Sequence, residues 1–130
     1  MPVWMMWTLG IAGVFLAWEP LWSLLGGGSV SVSHLRRWRQ NGRVFLLDVR
    51  TGPEFSWRHI PGAIHRPDLL WGSRALPLPK DRPVVVVCLT GHRSPVVAWR
   101  LRRAGFENAF SLHGGMVAWL LAPGNKEERQ

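Results

Sequence analysis

The chain has 130 residues, a formal net charge of +8 and a single cysteine. One cysteine excludes an internal disulfide framework and a cysteine-rich metal site, and no His/Asp/Glu spacing suggests zinc or iron, so no metal or other cofactor is expected. The 16 Lys and Arg residues outnumber the 8 Asp and Glu residues, but they are spread along the chain without a nucleic-acid module, so a nucleic-acid partner is not expected either.

From the N-terminus, Met1 to Trp18 carries no charged side chain, Glu19-Pro20 interrupts, and Leu21 to Leu25 resumes the apolar character. A membrane-spanning helix needs about 20 mainly apolar residues. Trp4 and Trp7 near one end, with Trp18 and Trp22 near the other, resemble two interfacial aromatic belts. The expectation is one transmembrane anchor over residues 1–25, in contact with membrane lipid. A cleaved signal peptide is disfavoured, because no basic residue precedes the apolar core and no small-x-small site follows it. Arg36, Arg37, Arg39 and Arg43 follow closely, and the positive-inside tendency then predicts a single-pass protein with its C-terminal domain in the cytoplasm. Gly26-Gly27-Gly28-Ser29 reads as a flexible linker over 26–29. Residues 30–123 suffice for one core, and 124–130 form a polar tail.

Beyond the linker, Ser33 to Arg39 reads as a short amphipathic helix with Leu35 and Trp38 inward. Val44 to Val49 reads as a strand, Pro53 to Trp57 as a short helix and Ala63 to His65 as a short strand. Asp68 to Arg74 is helical or irregular, and Ala75 to Pro83 is a proline-interrupted loop. Val84 to Val87 is β-branched and wholly apolar, the pattern of a buried parallel strand. Pro95 to Ala104 is a helix ended near Gly105, with Ser94 as its N-cap. Ala109 to Leu112 is a strand and Met116 to Leu121 the last helix. Such alternation predicts an α/β fold, a parallel sheet with helices on both faces. Sites in these sheets lie beyond the carboxyl ends of the strands.

Cys88 falls at such an end and opens the run Cys88-Leu89-Thr90-Gly91-His92-Arg93-Ser94. A lone cysteine in an apolar strand is usually an inert hydrophobe. Here Gly91 permits a sharp turn and Arg93 has no packing reason to be present. The backbone N–H groups of a strand–loop–helix crevice form a cradle for anions, suited to a thiolate on Cys88 with Arg93 adding charge.

The run Cys88-x-x-Gly91-x-Arg93-Ser94 resembles the active-site loop of rhodanese-like sulfurtransferase domains. Leu46-Leu47-Asp48-Val49-Arg50 with Pro53-Glu54-Phe55, His59-Ile60-Pro61-Gly62-Ala63-Ile64-His65, Gly105-Phe106, and Gly114-Gly115-Met116-Val117-Ala118-Trp119 resemble further segments of that family in the same order. The resemblance covers roughly Val30 to Ala122, with one departure at Arg58, where the family commonly has glycine. It implies a rhodanese-like fold and transfer of sulfane sulfur through a persulfide on Cys88, with Leu89 to Ser94 binding the substrate. The donor would be a small anion such as thiosulfate. The acceptor would be cyanide or an external thiol, a protein thiol included, because no second cysteine can resolve the persulfide.

Related phosphatases and arsenate reductases resemble a loop one residue longer; Arg93 is only five positions after Cys88, which favours sulfur. The other alternative is a catalytically silent binding module that tethers a partner at the membrane, disfavoured by the intact Cys88, Gly91 and Arg93. His92 either raises the loop's positive potential, moves protons, or faces solvent. Thr90 lines the loop with its hydroxyl. His59 approaches the loop, as the resemblance suggests, or braces a turn. Asp48 and Arg50 form a salt bridge or structural hydrogen bonds at a strand end, with direct catalysis the lesser reading. Gly114-Gly115 shapes a turn rather than binding phosphate.

Overall fold

The computed structural model describes residues 1–24, 28–72 and 76–122. Helix α1 spans Val3–Leu24. Strand β1 (Gly28–Val30), helix α2 (Val32–Gln40), strand β2 (Phe45–Asp48), helix α3 (Gly52–Trp57), strand β3 (Ile64–His65) and a 3₁₀ helix (Pro67–Trp71) follow. Strand β4 (Val84–Val87), helix α4 (Ser94–Arg103), strand β5 (Ala109–Leu112) and helix α5 (Gly115–Leu121) complete the order. The five strands form one sheet in the order β1-β5-β4-β2-β3, and every pairing is parallel.

Strand periodicity divides the core into two layers. Val84, Val86 and Cys88 face one side with Leu47 and Val49, packed against Val97, Ala98 and Leu101 of α4. Val85 and Val87 face the other side with Leu46, packed against Leu35 of α2 and Met116 and Trp119 of α5. Alternate side chains of a strand point to opposite faces, so four consecutive valines serve both layers. All four are fully buried.

The observed elements follow the expected alternation, with three differences. The first is the membrane anchor. No helix among the described residues is long and apolar enough to cross a membrane. Although α1 has 22 residues, Pro20 lies inside it, directly after Glu19, and its glycines and four tryptophans add little hydropathy. Its second half packs on the domain instead: the Trp22 ring meets Trp99 of α4 edge-on at 5.5 Å. The predicted single-pass, cytoplasm-facing placement therefore has no span to rest on. Two of the arginines read as its positive flank, Arg36 and Arg39, lie over the Trp119 ring at 5.0 and 5.4 Å, where they cover the core.

The second difference is the linker. Gly26 and Gly27 lie outside the described residues, but Gly28 and Ser29 belong to β1, in register with Phe110 and Ser111. A side chain at Gly28 would collide with Phe110 and Arg102, so glycine here permits a close edge rather than flexibility. The third is Ser94, which begins α4 while Arg93 occupies the N-cap position without a side-chain capping bond. The expected tail over 124–130 lies outside the described residues.

Candidate active site

Cys88 is the first residue beyond β4, and its side chain is fully buried. The following loop folds back so that two of its amides reach the sulfur. The Gly91 N–H donates to Sγ at 3.1 Å and the Ser94 N–H at 3.4 Å. The turn depends on Gly91, whose φ of 85° lies in the left-handed region. Ser94 is the first residue of α4, so the sulfur also meets the electropositive end of that helix. These donors favour negative charge on sulfur.

Ser94 turns its hydroxyl inward because two polar atoms await it. Its Oγ lies 3.4 Å from Sγ and 2.7 Å from the buried Ser111 Oγ on β5. That inward bond is why it does not cap the helix. Ser111 was not singled out in the sequence; a polar residue in an otherwise apolar strand was its only signal.

The N-terminus of α5 closes the other side. Met116 N–H donates to the Cys88 carbonyl at 2.8 Å and Val117 N–H to the Leu89 carbonyl at 3.0 Å. A Cβ on Gly115 would strike the backbone of Cys88, Leu89 and Gly91, and its φ is +58°. The glycine pair thus lets α5 grip the loop's first two carbonyls.

Arg93 is partly exposed and pairs with Glu54 at 3.4 Å. Glu54 also completes a capping box with Thr51 at the start of α3. Partial burial pushes the Glu54 pKa up, but hydrogen bonds from the Thr51 backbone and hydroxyl and the Arg93 charge outweigh it and hold the carboxyl below its ordinary value. Glu54 is therefore a second charge at the mouth of the loop.

Among the residues expected beside the loop, Asp48 and Arg50 form a buried ion pair with Nη2–Oδ2 at 2.8 Å. The Arg50 N–H and Nε also reach the carboxylate. Arg50 Nη2 donates to the Arg58 carbonyl, and its own carbonyl meets His65 Nε2 at 2.7 Å. The pair thus ties β2 to the segments after it. Arg58 sits in extended backbone at φ −158°, which a side chain tolerates, so glycine is not required there. His59 turns to Phe55: its ring stacks at 4.0 Å and its Nδ1 lies 2.9 Å from the Phe55 carbonyl.

His92 stands at the crown of the loop, against α1. Its Nδ1 is 3.0 Å from Thr90 Oγ1 and its Nε2 is 3.3 Å from the Phe15 carbonyl. The ring stacks on Phe15 at 3.8 Å, and the His92 carbonyl accepts from Trp18 Nε1 at 2.5 Å. The sequence did not point to this role for α1, because its apolar run carries a membrane-like pattern. No group of acidic, histidine and cysteine side chains able to hold a metal occurs among the described residues.

A family model described as a rhodanese-like domain matches residues 31–122. The chain belongs to the rhodanese-like domain family. It is 40% identical over 96 residues to the probable adenylyltransferase/sulfurtransferase MoeZ of Mycobacterium tuberculosis, covering 72% of this chain and 24% of that protein. The chain thus spans about a quarter of that relative's length. It is 38% identical over 76 residues to a sulfurtransferase of Allochromatium vinosum, covering 58% of this chain and 71% of the relative. Among solved structures, the human single-domain sulfurtransferase TSTD1 superposes with a TM-score of 0.67 at 24% identity over 75% of this chain and 99% of the other, a likeness of fold. An NAD-dependent persulfide reductase of A. fulgidus matches with a TM-score of 0.58 at 31% identity, covering 85% of this chain and 18% of that one. The family is thus that of rhodanese-like domains, and relatives of this chain carry the name sulfurtransferase.

Proposed function

We propose that this rhodanese-like domain transfers sulfane sulfur through a persulfide on Cys88. The observation that carries the reading is the buried Sγ held by the Gly91 and Ser94 N–H groups at 3.1 and 3.4 Å. In the first step the Cys88 thiolate attacks the outer sulfur of thiosulfate. The thiosulfate S–S bond breaks, its electron pair leaves with sulfite, and a Cys88 persulfide remains. Arg93 receives the anionic donor, and the loop from Leu89 to Ser94 stabilises charge on the terminal sulfur. In the second step cyanide or a thiolate attacks that sulfur, and the Cys88 thiolate leaves. The exchange needs no cofactor and no redox partner.

The relatives' names support sulfur transfer, and the five-residue spacing from Cys88 to Arg93 favours it over phosphate or arsenate chemistry. Incubating the full chain with excess thiosulfate and recording intact mass tests the reading. One added sulfur atom, released by cyanide and absent in Cys88→Ser, is the expected result. No gain from thiosulfate or from a persulfide donor would refute it and leave a silent binding domain.

A further inference from the structure

Trp7, Ile11, Val14, Phe15 and Trp18 line one face of α1, and together with Gly10 they border a groove of about 500 Å³ that ends on the His92 ring. Their spacing is that of one helical face. Gly10 contributes no side chain and has nothing within 4 Å of where one would stand, which leaves room in the middle. Ile11 and Val14 are 67% and 63% exposed, more apolar surface than a surface helix ordinarily shows to water. Pockets for small molecules commonly fall between about 300 and 1,000 Å³ and are lined by apolar and aromatic groups with few polar ones.

We propose that this groove binds the apolar chain of the thiol that accepts sulfur, so that the acceptor class is alkyl- or aryl-chain thiols. The proposal rests on Cys88 carrying the sulfur. Three observations choose this occupant. The groove is continuous with the reactive loop, because His92 both closes it and hydrogen-bonds Thr90 within the loop. The chain has one cysteine, so the sulfur must leave to an external molecule that comes to this loop. Among the described residues the groove is lined by apolar and aromatic side chains and His92, which suits an apolar chain better than the anionic donor; that donor belongs at Arg93. The acceptor thiolate attacks the terminal persulfide sulfur, the bond between that sulfur and Sγ breaks, and the product is the chain-bearing persulfide.

The test uses the full chain loaded with thiosulfate and straight-chain thiols from ethanethiol to hexanethiol, each variant referenced to its own rate with cyanide. Burial of one methylene is worth about 0.8 kcal/mol, or roughly a fourfold rise in kcat/KM per added carbon. That slope is expected in the wild type, reduced in Ile11→Gln, and retained in Leu9→Gln, which lies outside the groove. A flat series in the wild type, an equal slope in Ile11→Gln, or a slope that vanishes as protein concentration rises because a second copy fills the groove would each overturn the proposal. Binding is read separately by titrating 1-hexanol, which cannot react, and following the His92 ring protons by NMR. A saturable shift reduced in Ile11→Gln is expected whether or not Cys88 takes up sulfur, so hexanol binding without sulfur uptake counts against the persulfide alone. Absence of that shift in the wild type overturns the groove.

Discussion

The charge balance at the mouth of the loop is set by one pair of residues, Arg93 and Glu54, 3.4 Å apart. Under the proposed function, Glu54 offsets the positive field that an anionic donor would meet. Glu54→Gln keeps the capping geometry and removes that charge, so the KM for thiosulfate is expected to fall a few-fold in steady-state assays. The same carboxyl bears on stability. Because its pKa is held below the ordinary value, its contribution is present at neutral pH and is lost as the pH falls below about 4.3 through the lowered pKa. The stability difference between wild type and Glu54→Gln in urea titrations should therefore shrink on acidification. Trp18 acts on the loop from outside. Its indole N–H holds the His92 carbonyl, and in a planar trans peptide that carbonyl sets the opposite direction of the Arg93 N–H. Trp18→Phe keeps the ring and removes the donor; it should slow persulfide formation several-fold, read as the rate of mass gain, with a stability loss of only about 1 kcal/mol.

Two short elements hold the site together: the start of α5 grips the loop, and the end of β2 is tied to the segments after it. At the start of α5, Gly115 allows the helix N–H groups to reach the carbonyls of Cys88 and Leu89. Gly115→Ala places a methyl group on the loop backbone at a positive φ. Strain of about 1–3 kcal/mol is expected, with sulfur transfer lost while the far-ultraviolet circular dichroism stays that of the wild type. At the end of β2, the Asp48–Arg50 pair is buried, with side chains at most 1% exposed. Asp48→Asn leaves the Arg50 charge without its partner, and removing one member of such a pair costs about 3–5 kcal/mol. Denaturant unfolding should show that loss directly.

For the molecule as a whole, the net charge of +8 creates a field that attracts small anions. Its reach falls from about 10 Å at 0.1 M salt to about 3 Å at 1 M. The kcat/KM for thiosulfate, a dianion, should therefore decline several-fold over that range, whereas the half-reaction with an alkyl thiol should respond less, since the described lining of the proposed groove on α1 is apolar. Stopped-flow measurements of the two half-reactions separate these effects. A decline shared equally by both would place the salt effect on the fold instead of on donor capture.

Much of the fold was legible because the relevant signals are local. Val84 to Val87 marks a buried parallel strand by composition, and Leu35 marks the inward face of α2 by period. The position of Cys88 at a strand end, with Gly91 and Arg93 after it, is likewise written in adjacent residues. The N-terminal helix was legible as a helix but not in its destination. Its apolar run satisfies a membrane pattern almost as well as a packed one, and contact with Trp99 and His92 exists only once the chain has folded. Ser111 and Glu54 escaped for the same reason, since their partners Ser94 and Arg93 are 17 and 39 residues away. Gly28 looked like linker because its collision with Phe110 depends on β1 lying beside β5. The sequence by itself determined the alternating α/β order and the loop built around Cys88, both set by residues near one another in the chain. Only the tertiary structure decided what surrounds that loop, because the Ser111 hydroxyl, the Glu54 carboxylate, the α5 amides and the α1 aromatics meet it through distant parts of the chain.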